Sequence, residues 1–411
     1  MSGKEFRSGI QQGLSNGTLE LVRLGRVDTG PGTEQPYVLL DPGGQVVDEV
    51  SAWMRYLASA DHSPRTMRSY CYASLTWFRV LWMLDIPWDR ATLAETAAMV
   101  GWLRNAPNPQ RTRPTGGVPG GVNIKTGKPN LGQGYGPATI NLTLGAVRGF
   151  YEFHAQWAHG PVLNPVPASP QRRRALGHRS PLEPKQPYRR GPYRQRYGQR
   201  LPRSIPDPHW AQLFHLMGND RDRALLACFV SSGARAEELL GARTDDLDWA
   251  NQRLSVISKG SRERRWVPLS PEAVALLGRY LDSLDIRSAG PMWRTLRGAE
   301  RPLSYAAARR IIQRANAAMG TNWTLHDLRH TASMRMVSSG VLTLPELQVV
   351  LGHADLRTTS RYTLPREEEV IVKMQEFYAR PAQPLRRFTP GYAPDDIAAV
   401  FGDHAVRSAG E

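Results

Sequence analysis

The sequence predicts a mainly α-helical protein with a small β-sheet: an N-terminal all-α domain followed by an α+β domain. Three observations carry this expectation. Apolar residues recur at helical spacing between Val46 and His154, and two short β-type runs joined by a turn stand in the second half. A 38-residue stretch with neither periodicity separates the two regions. At 411 residues the chain suits two or three domains with a substantial core.

Taken in order, residues 1–43 form an N-terminal extension with 4 positive and 5 negative charges. Its Arg23 and Arg26 are too sparse to make it a basic segment. Residues 44–167 form the helical domain. A short helix is expected over Val46–Ala60. A longer one begins at Ser63-Pro-Arg-Thr, with a Ser cap and Pro at the first helical position, and carries Tyr70, Leu75, Phe78, Leu81 and Trp82 on its apolar face. Another helix is expected near Thr92–Leu103. The last starts at Gly136-Pro-Ala-Thr-Ile-Asn and ends by Asn164-Pro-Val-Pro. Between these two lies a Gly/Pro-rich loop, 105–137. It lacks the Gly-Lys-Ser/Thr of a phosphate-binding loop, so it reads as a surface excursion.

Residues 168–205 are the linker, with 11 positive charges against 1 negative and with Tyr188, Tyr193 and Tyr197 interleaved among prolines and arginines. A solvated spacer explains the composition. Nucleic-acid binding explains the aromatics as well, since bases stack on tyrosines while arginines hold phosphates. Residues 206–375 form the α+β domain, with strands at Arg253–Ser258 and Arg264–Leu269 joined by a hairpin that has Lys259 at its turn. Residues 376–411 are a tail whose Ile397, Ala398, Val400 and Phe401 suit either an intersubunit contact or a disordered end.

Composition narrows the class of function. The net charge of +16 points to a polyanionic partner, usually nucleic acid. Arginine supplies 47 of the cations and lysine six, a ratio that GC-rich codon usage alone accounts for. The longest purely apolar run, Ala224–Val230, is too short to span a bilayer, and Met1–Gly13 lacks the core of a signal peptide. A protein of the cytoplasm, associated with the nucleoid and with no membrane partner, is therefore expected. Cys71 and Cys228 are far apart in sequence and read as buried apolar residues rather than a disulfide or zinc site.

The second half holds polar residues that a core does not need. Gly233 breaks the apolar helix ending at Val230, and Arg235 enters the next one, with Glu238 a turn later placed to hold its guanidinium. His326 and Arg329 are three apart and share a helix face; Leu351-Gly-His353 ends a helix; Arg361-Tyr362-Thr follows. His330 reads as packing or capping, Asp245, Asp246 and Asp248 as turn caps rather than metal ligands, and Trp266 and Trp293 as core.

Each of these residues is weak evidence alone. Arg235, Lys259, His326-x-x-Arg329, Leu-Gly-His353 and Tyr362, in that order and spacing, resemble the tyrosine recombinase (phage integrase) family, and Ser63-Pro-Arg-Thr and Gly136-Pro-Ala-Thr-Ile-Asn resemble its core-binding domain. The likeness runs from Val46 to about Lys373. The long loop, the expanded linker and the tail are atypical.

The resemblance implies a SAM-like core-binding domain and an α+β catalytic domain closing on DNA as a clamp. It implies a site-specific recombinase with Tyr362 as nucleophile, Arg235, Arg329 and His353 on the phosphate, His326 as base or stabiliser and Lys259 as acid, with no cofactor and no metal. The implied partners are double-stranded DNA bearing specific recombination sites, further copies of the chain in a tetramer, and accessory DNA-bending or directionality proteins. The expected DNA contacts are Arg65, Arg68, Arg79 and Arg148 in the helical domain, Arg172, Arg173, Arg174, Arg189, Arg190 and Arg194 in the linker, and Arg361 beside the tyrosine. Alternatives are a type IB-like topoisomerase, a telomere resolvase, or a non-catalytic DNA-binding protein of the same fold. The charge distribution makes one prediction: neutralising linker arginines weakens DNA binding and flattens its dependence on salt in a filter-binding titration. An unchanged salt slope would make the linker a spacer.

Overall fold

The computed structural model describes residues 3–109, 118–168, 191–196, 203–258, 262–284, 290–352, 371, 374–375, 379 and 394–401. By its contacts the chain divides into two compact units, Met1–Ala332 and Ser333–Glu411. Among the described residues no helix is long and apolar enough to cross a membrane.

The first unit contains two apolar cores. The N-terminal one is built from α1 (Gly3–Asn16), a hairpin of β1 (Arg26–Gly32) and β2 (Gln35–Leu40), α2 (Asp48–Ser59), α3 (Pro64–Leu84), α4 (Leu93–Asn105) and α5 (Pro137–Ala155). Residues 1–43 are therefore not an appendage, and the domain is not purely helical. Leu14, Leu21 and Leu39 lie in the same core as Trp53, Trp77 and Phe150. The hairpin escapes sequence reading because β1 runs into Gly30-Pro31-Gly32 and alternates too briefly to register.

Local signals set the helix ends. Ser63 Oγ accepts from Thr66 N at 3.2 Å, with Pro64 behind it, and Asp85 closes α3 in the left-handed region. Thr92 and Glu95 form a reciprocal capping box on α4. The other oxygen of the buried Glu95 accepts from Gln11 Nε2 at 2.6 Å, which ties α1 to α4. At the core, Trp77 Nε1 donates to Tyr151 Oη (3.0 Å), whose hydroxyl donates to Trp88 O (2.8 Å). Both cysteines are buried, and burial pushes their thiols up to about 12, which makes them packing groups as expected.

The second core is organised round α7 (Asp220–Ser232). This helix packs against the short α8 (Ala236–Leu240) and α9 (Pro271–Asp282), and α6 (Asp207–His215) packs on α10 (Tyr305–Met319). Asn219 caps α7, and Gly233 ends it in the left-handed conformation (φ 61°). The sheet is β3 (Leu247–Asp248), β4 (Arg253–Ile257) and β5 (Arg264–Pro268), antiparallel in that order, with Leu254 opposite Val267. The two expected strands are present; the two-residue β3 is too short to be read from sequence.

Trp293 is fully buried and donates to Leu239 O at 2.8 Å. Trp266 corrects the expectation of a core residue, since it is 49% exposed. Strand alternation turns Val267 inward and Trp266 outward, where the Arg253 guanidinium stacks 4.3 Å from its ring.

Helix α11 (Leu325–Ser338) begins in the first unit. In the second unit, Leu347 and Leu351 of α12 (Leu344–Leu351) form a small cluster with Met334, Met336, Val337 and Leu342. Gly352 stops α12 in the left-handed region, as its sequence position predicts. A further helix, α13 (Pro394–Phe401), covers the apolar part of the tail, and its Val400 is exposed.

Helices α1 and α4 meet at Gly101, where an added Cβ would lie 2.5 Å from the Ser15 backbone. Gly101→Ala gains at most about 1 kcal/mol of helix propensity, and forcing backbone apart costs about 1–3 kcal/mol. The overlap wins. Thermal unfolding should show a lowered Tm, and a raised Tm would mean that α1 is not seated on α4.

Candidate functional site

The geometry is built on the turn between α7 and α8. Arg235 stands at the N-terminus of α8, and Glu238 one turn on is buried. The Glu238 carboxylate accepts from Arg235 N (2.9 Å) and Arg235 Nη1 (2.7 Å). It also accepts from Arg265 Nη2 of β5 at 2.8 Å. Burial alone would push this carboxyl up. Hydrogen bonds from the backbone and guanidinium of Arg235, with the charges of Arg265 and Arg235, outweigh it and hold the group below the ordinary value. Glu238 thus grips the Arg235 guanidinium one helical turn away. Arg265 has the one signal that sequence reading passed over: it neighbours Trp266 and Val267 on a strand, so its side chain lies on the opposite face from Trp266.

Arg329 reaches the same turn from the first part of α11. Its side chain is buried, and Nη1 donates to Gly233 O at 2.7 Å. Two arginines from elements almost a hundred residues apart thus converge on Gly233–Arg235. His326 is exposed on the first turn of α11, and its ring meets that of His330 edge-on with centroids 4.1 Å apart. His330 is half-buried. Lys259, His353, Tyr362 and Arg361 lie outside the described residues, as do Arg172, Arg173, Arg174, Arg189 and Arg190.

The other arginines expected on DNA divide into two groups. Arg68, stacked over Tyr72 at 5.1 Å, and Arg194 are exposed. Arg79 is a correction: it donates to Leu24 O (2.7 Å) and Gly25 O (3.1 Å), so its guanidinium fastens the N-terminal segment to α3. Arg148 lies 3.6 Å from Glu152 with little of its side chain exposed, and Arg65 pairs with Glu237 while facing the Tyr305 ring. The aspartates act as turn caps. Asp246 accepts from Arg243 N and Arg264 Nη1, and Asp248 is held at about 2 by hydrogen bonds from the Asn251 side chain, Arg253 and the Asn251 backbone.

Since Glu238 titrates lower folded than unfolded, its contribution to stability is fully present above about 4.3, the ordinary value. It is lost as pH falls through the folded value. Glu238→Gln should lower stability by about 2 kcal/mol at neutral pH, because it leaves two guanidiniums without their anion. It should also flatten the acid side of a plot of Tm against pH. A variant whose acid limb matches the parent would remove Glu238 from this role.

Residues 211–369 match the Phage integrase family, a span that includes every position from Arg235 to Tyr362. Tyrosine recombinase XerD of Pseudomonas aeruginosa is 34% identical over 166 residues, covering 39% of this chain and 53% of the relative. Tyrosine recombinase XerC of Pelobacter propionicus is 38% identical over 146 residues, covering 35% and 47%. The chain thus spans about half the length of these relatives. Tyrosine recombinase XerC of Xylella fastidiosa is 35% identical over 239 residues, 56% of this chain and 71% of the relative. Among solved structures, a lambda integrase dimer bound to a COC' core site superposes with a TM-score of 0.53 at 17% identity, covering 78% of each chain. XerH site-specific recombinase bound to difH substrate superposes at 0.50 and 15%, covering 90% of this chain and 96% of that one. At these identities the structures establish the mainly α fold. With more than a third of residues identical across most of the Xylella fastidiosa relative, the chain belongs to the phage integrase family of tyrosine recombinases.

Proposed function

We propose that the protein is a site-specific DNA recombinase that cuts and rejoins DNA through a 3′-phosphotyrosyl intermediate. The observation that carries this reading is the convergence of Arg235 and Arg329 on one turn, with Glu238 holding Arg235 in place. A phosphodiester under attack becomes a pentacoordinate phosphorane with added negative charge. Guanidiniums aimed at its non-bridging oxygens stabilise that charge more than they stabilise the ground state.

In this reading the Tyr362 oxygen attacks phosphorus and the P–O5′ bond breaks. The tyrosine proton passes to His326, and Lys259 protonates the departing 5′ oxygen. A phenol with a pKa near ~10 is a poor nucleophile at neutral pH, hence the need for a base. His353 adds a hydrogen bond to the phosphate. The phosphotyrosyl bond conserves the energy of the broken diester, so rejoining needs neither ATP nor a metal. The two domains close on duplex DNA as a clamp, four copies pair two sites, and accessory DNA-bending proteins set direction.

The test is a nicked suicide substrate that loses a short fragment on cleavage. The parent should form a covalent protein–DNA adduct that persists in EDTA. Tyr362→Phe should form none while binding DNA within about twofold, and Arg235→Ala should slow adduct formation by about 10²–10³-fold. A parent that binds the substrate but makes no adduct would overturn the enzyme reading. Plasmid relaxation with no exchange between paired sites would replace the recombinase with a topoisomerase.

A further inference from the structure

The loop expected as a surface excursion is docked. Within its described part, residues 118–135 are internally fastened: Asn123 N donates to Lys128 O (3.0 Å), Gly127 N to Asn123 O (2.7 Å) and Asn130 N to Gly121 O (2.8 Å). It then grips the segment that leads into α11. Asn123 Nδ2 donates to Gly320 O (3.0 Å), Lys125 Nζ to Met319 O (2.6 Å) and Thr126 Oγ1 to Asn322 Oδ1 (2.6 Å). Asn322 Nδ2 donates back to Lys128 O (3.1 Å) and Asn130 Oδ1 (2.9 Å). Lys128 Nζ forms an ion pair with Asp327 Oδ2.

Asp327 is the key to what this docking does. It is buried, it lies between His326 and Arg329 in sequence, and the oxygen that meets Lys128 also accepts from Thr324 N and Thr324 Oγ1, each at 2.7 Å. It therefore closes the first turn of α11, as a cap residue does. A buried carboxylate in that position needs a countercharge, and Lys128 is the cation that meets it. An adventitious contact would not place six polar links on a segment of nine residues that ends one residue after His326.

We propose that the 118–135 loop is a brace, supplied by the N-terminal domain, that fixes the first turn of α11, and that Lys128 is a positioning residue for DNA cleavage acting through Asp327 on His326 and Arg329. The cleavage part rests on the recombinase reading above. Lys128→Met keeps the aliphatic stem and removes the charge; Lys128→Arg keeps the charge. With saturating suicide substrate, Lys128→Met should slow adduct formation by about tenfold or more, since small misplacements of catalytic groups carry large rate costs. Its DNA affinity should stay within about twofold, and Lys128→Arg should recover much of the rate. Hydrogen exchange of the peptide 321–332 should quicken in Lys128→Met, with the N-terminal core peptides unaltered.

An unchanged cleavage rate, or a DNA affinity that falls in step with the rate, overturns the positioning role. Unchanged exchange in 321–332 overturns the brace. A parent that binds DNA without forming an adduct overturns the recombinase reading and the positioning role with it. Exchange still decides the brace in that case, because it is read on the free protein.

Discussion

The structure of the site depends on one buried carboxylate. Arg235 precedes α8, Arg265 lies on β5, and two guanidiniums drawn to the same place repel each other unless an anion stands between them. Glu238 supplies it, taking the Arg235 backbone amide and guanidinium on its two oxygens and Arg265 on one of them. The same residue joins the helical layer to the β4–β5 pair through Arg265. A single side chain thus sets the spacing between the α7–α8 turn and the sheet. Arg329 completes the arrangement from the other side by bonding to Gly233 O, the carbonyl of the residue that ends α7.

Cations in this protein are spent on architecture as much as on a polyanion. Arg65 and Arg262 both link the elements round the N-terminal core to those round the second, one through Glu237 and the other through Asp61 at 2.7 Å. Arg79 holds the N-terminal segment down, and Lys125 and Lys128 dock the long loop. The largely exposed Arg65–Glu237 and Arg262–Asp61 pairs contribute little to stability individually. The half-buried Lys128–Asp327 pair is of a different kind, because the carboxylate beneath it is shut away from water.

Much of this was legible in the sequence where the signal is local. The Ser63-Pro64 start, the Thr92–Glu95 cap, the Gly352 stop and the β4–β5 hairpin each depend on a few adjacent residues, and each is present. The i, i+3 placement of Glu238 on Arg235 was legible for the same reason. The β1–β2 hairpin was not, since its alternation is interrupted by glycine and proline. Trp266 was misjudged because aromatic character alone does not say which face of a strand a residue takes. Arg79 and Arg148 were assigned to DNA from charge, although the carbonyls and carboxylate that occupy them come from packing. Lys128 carried no local signal at all, because its partner is 199 residues away.

That separation sets an order of assembly. During synthesis at about 5–20 residues per second, residues 118–135 emerge roughly 10–40 s before Asn322 and Asp327 exist. The N-terminal core can close in that interval, since its apolar residues lie within 10–166. The loop meanwhile has nothing to grip. The contacts that seat the first turn of α11 are therefore among the last the nascent chain can make, and the Arg329 side of the site is finished only after a completed domain is already waiting to receive it.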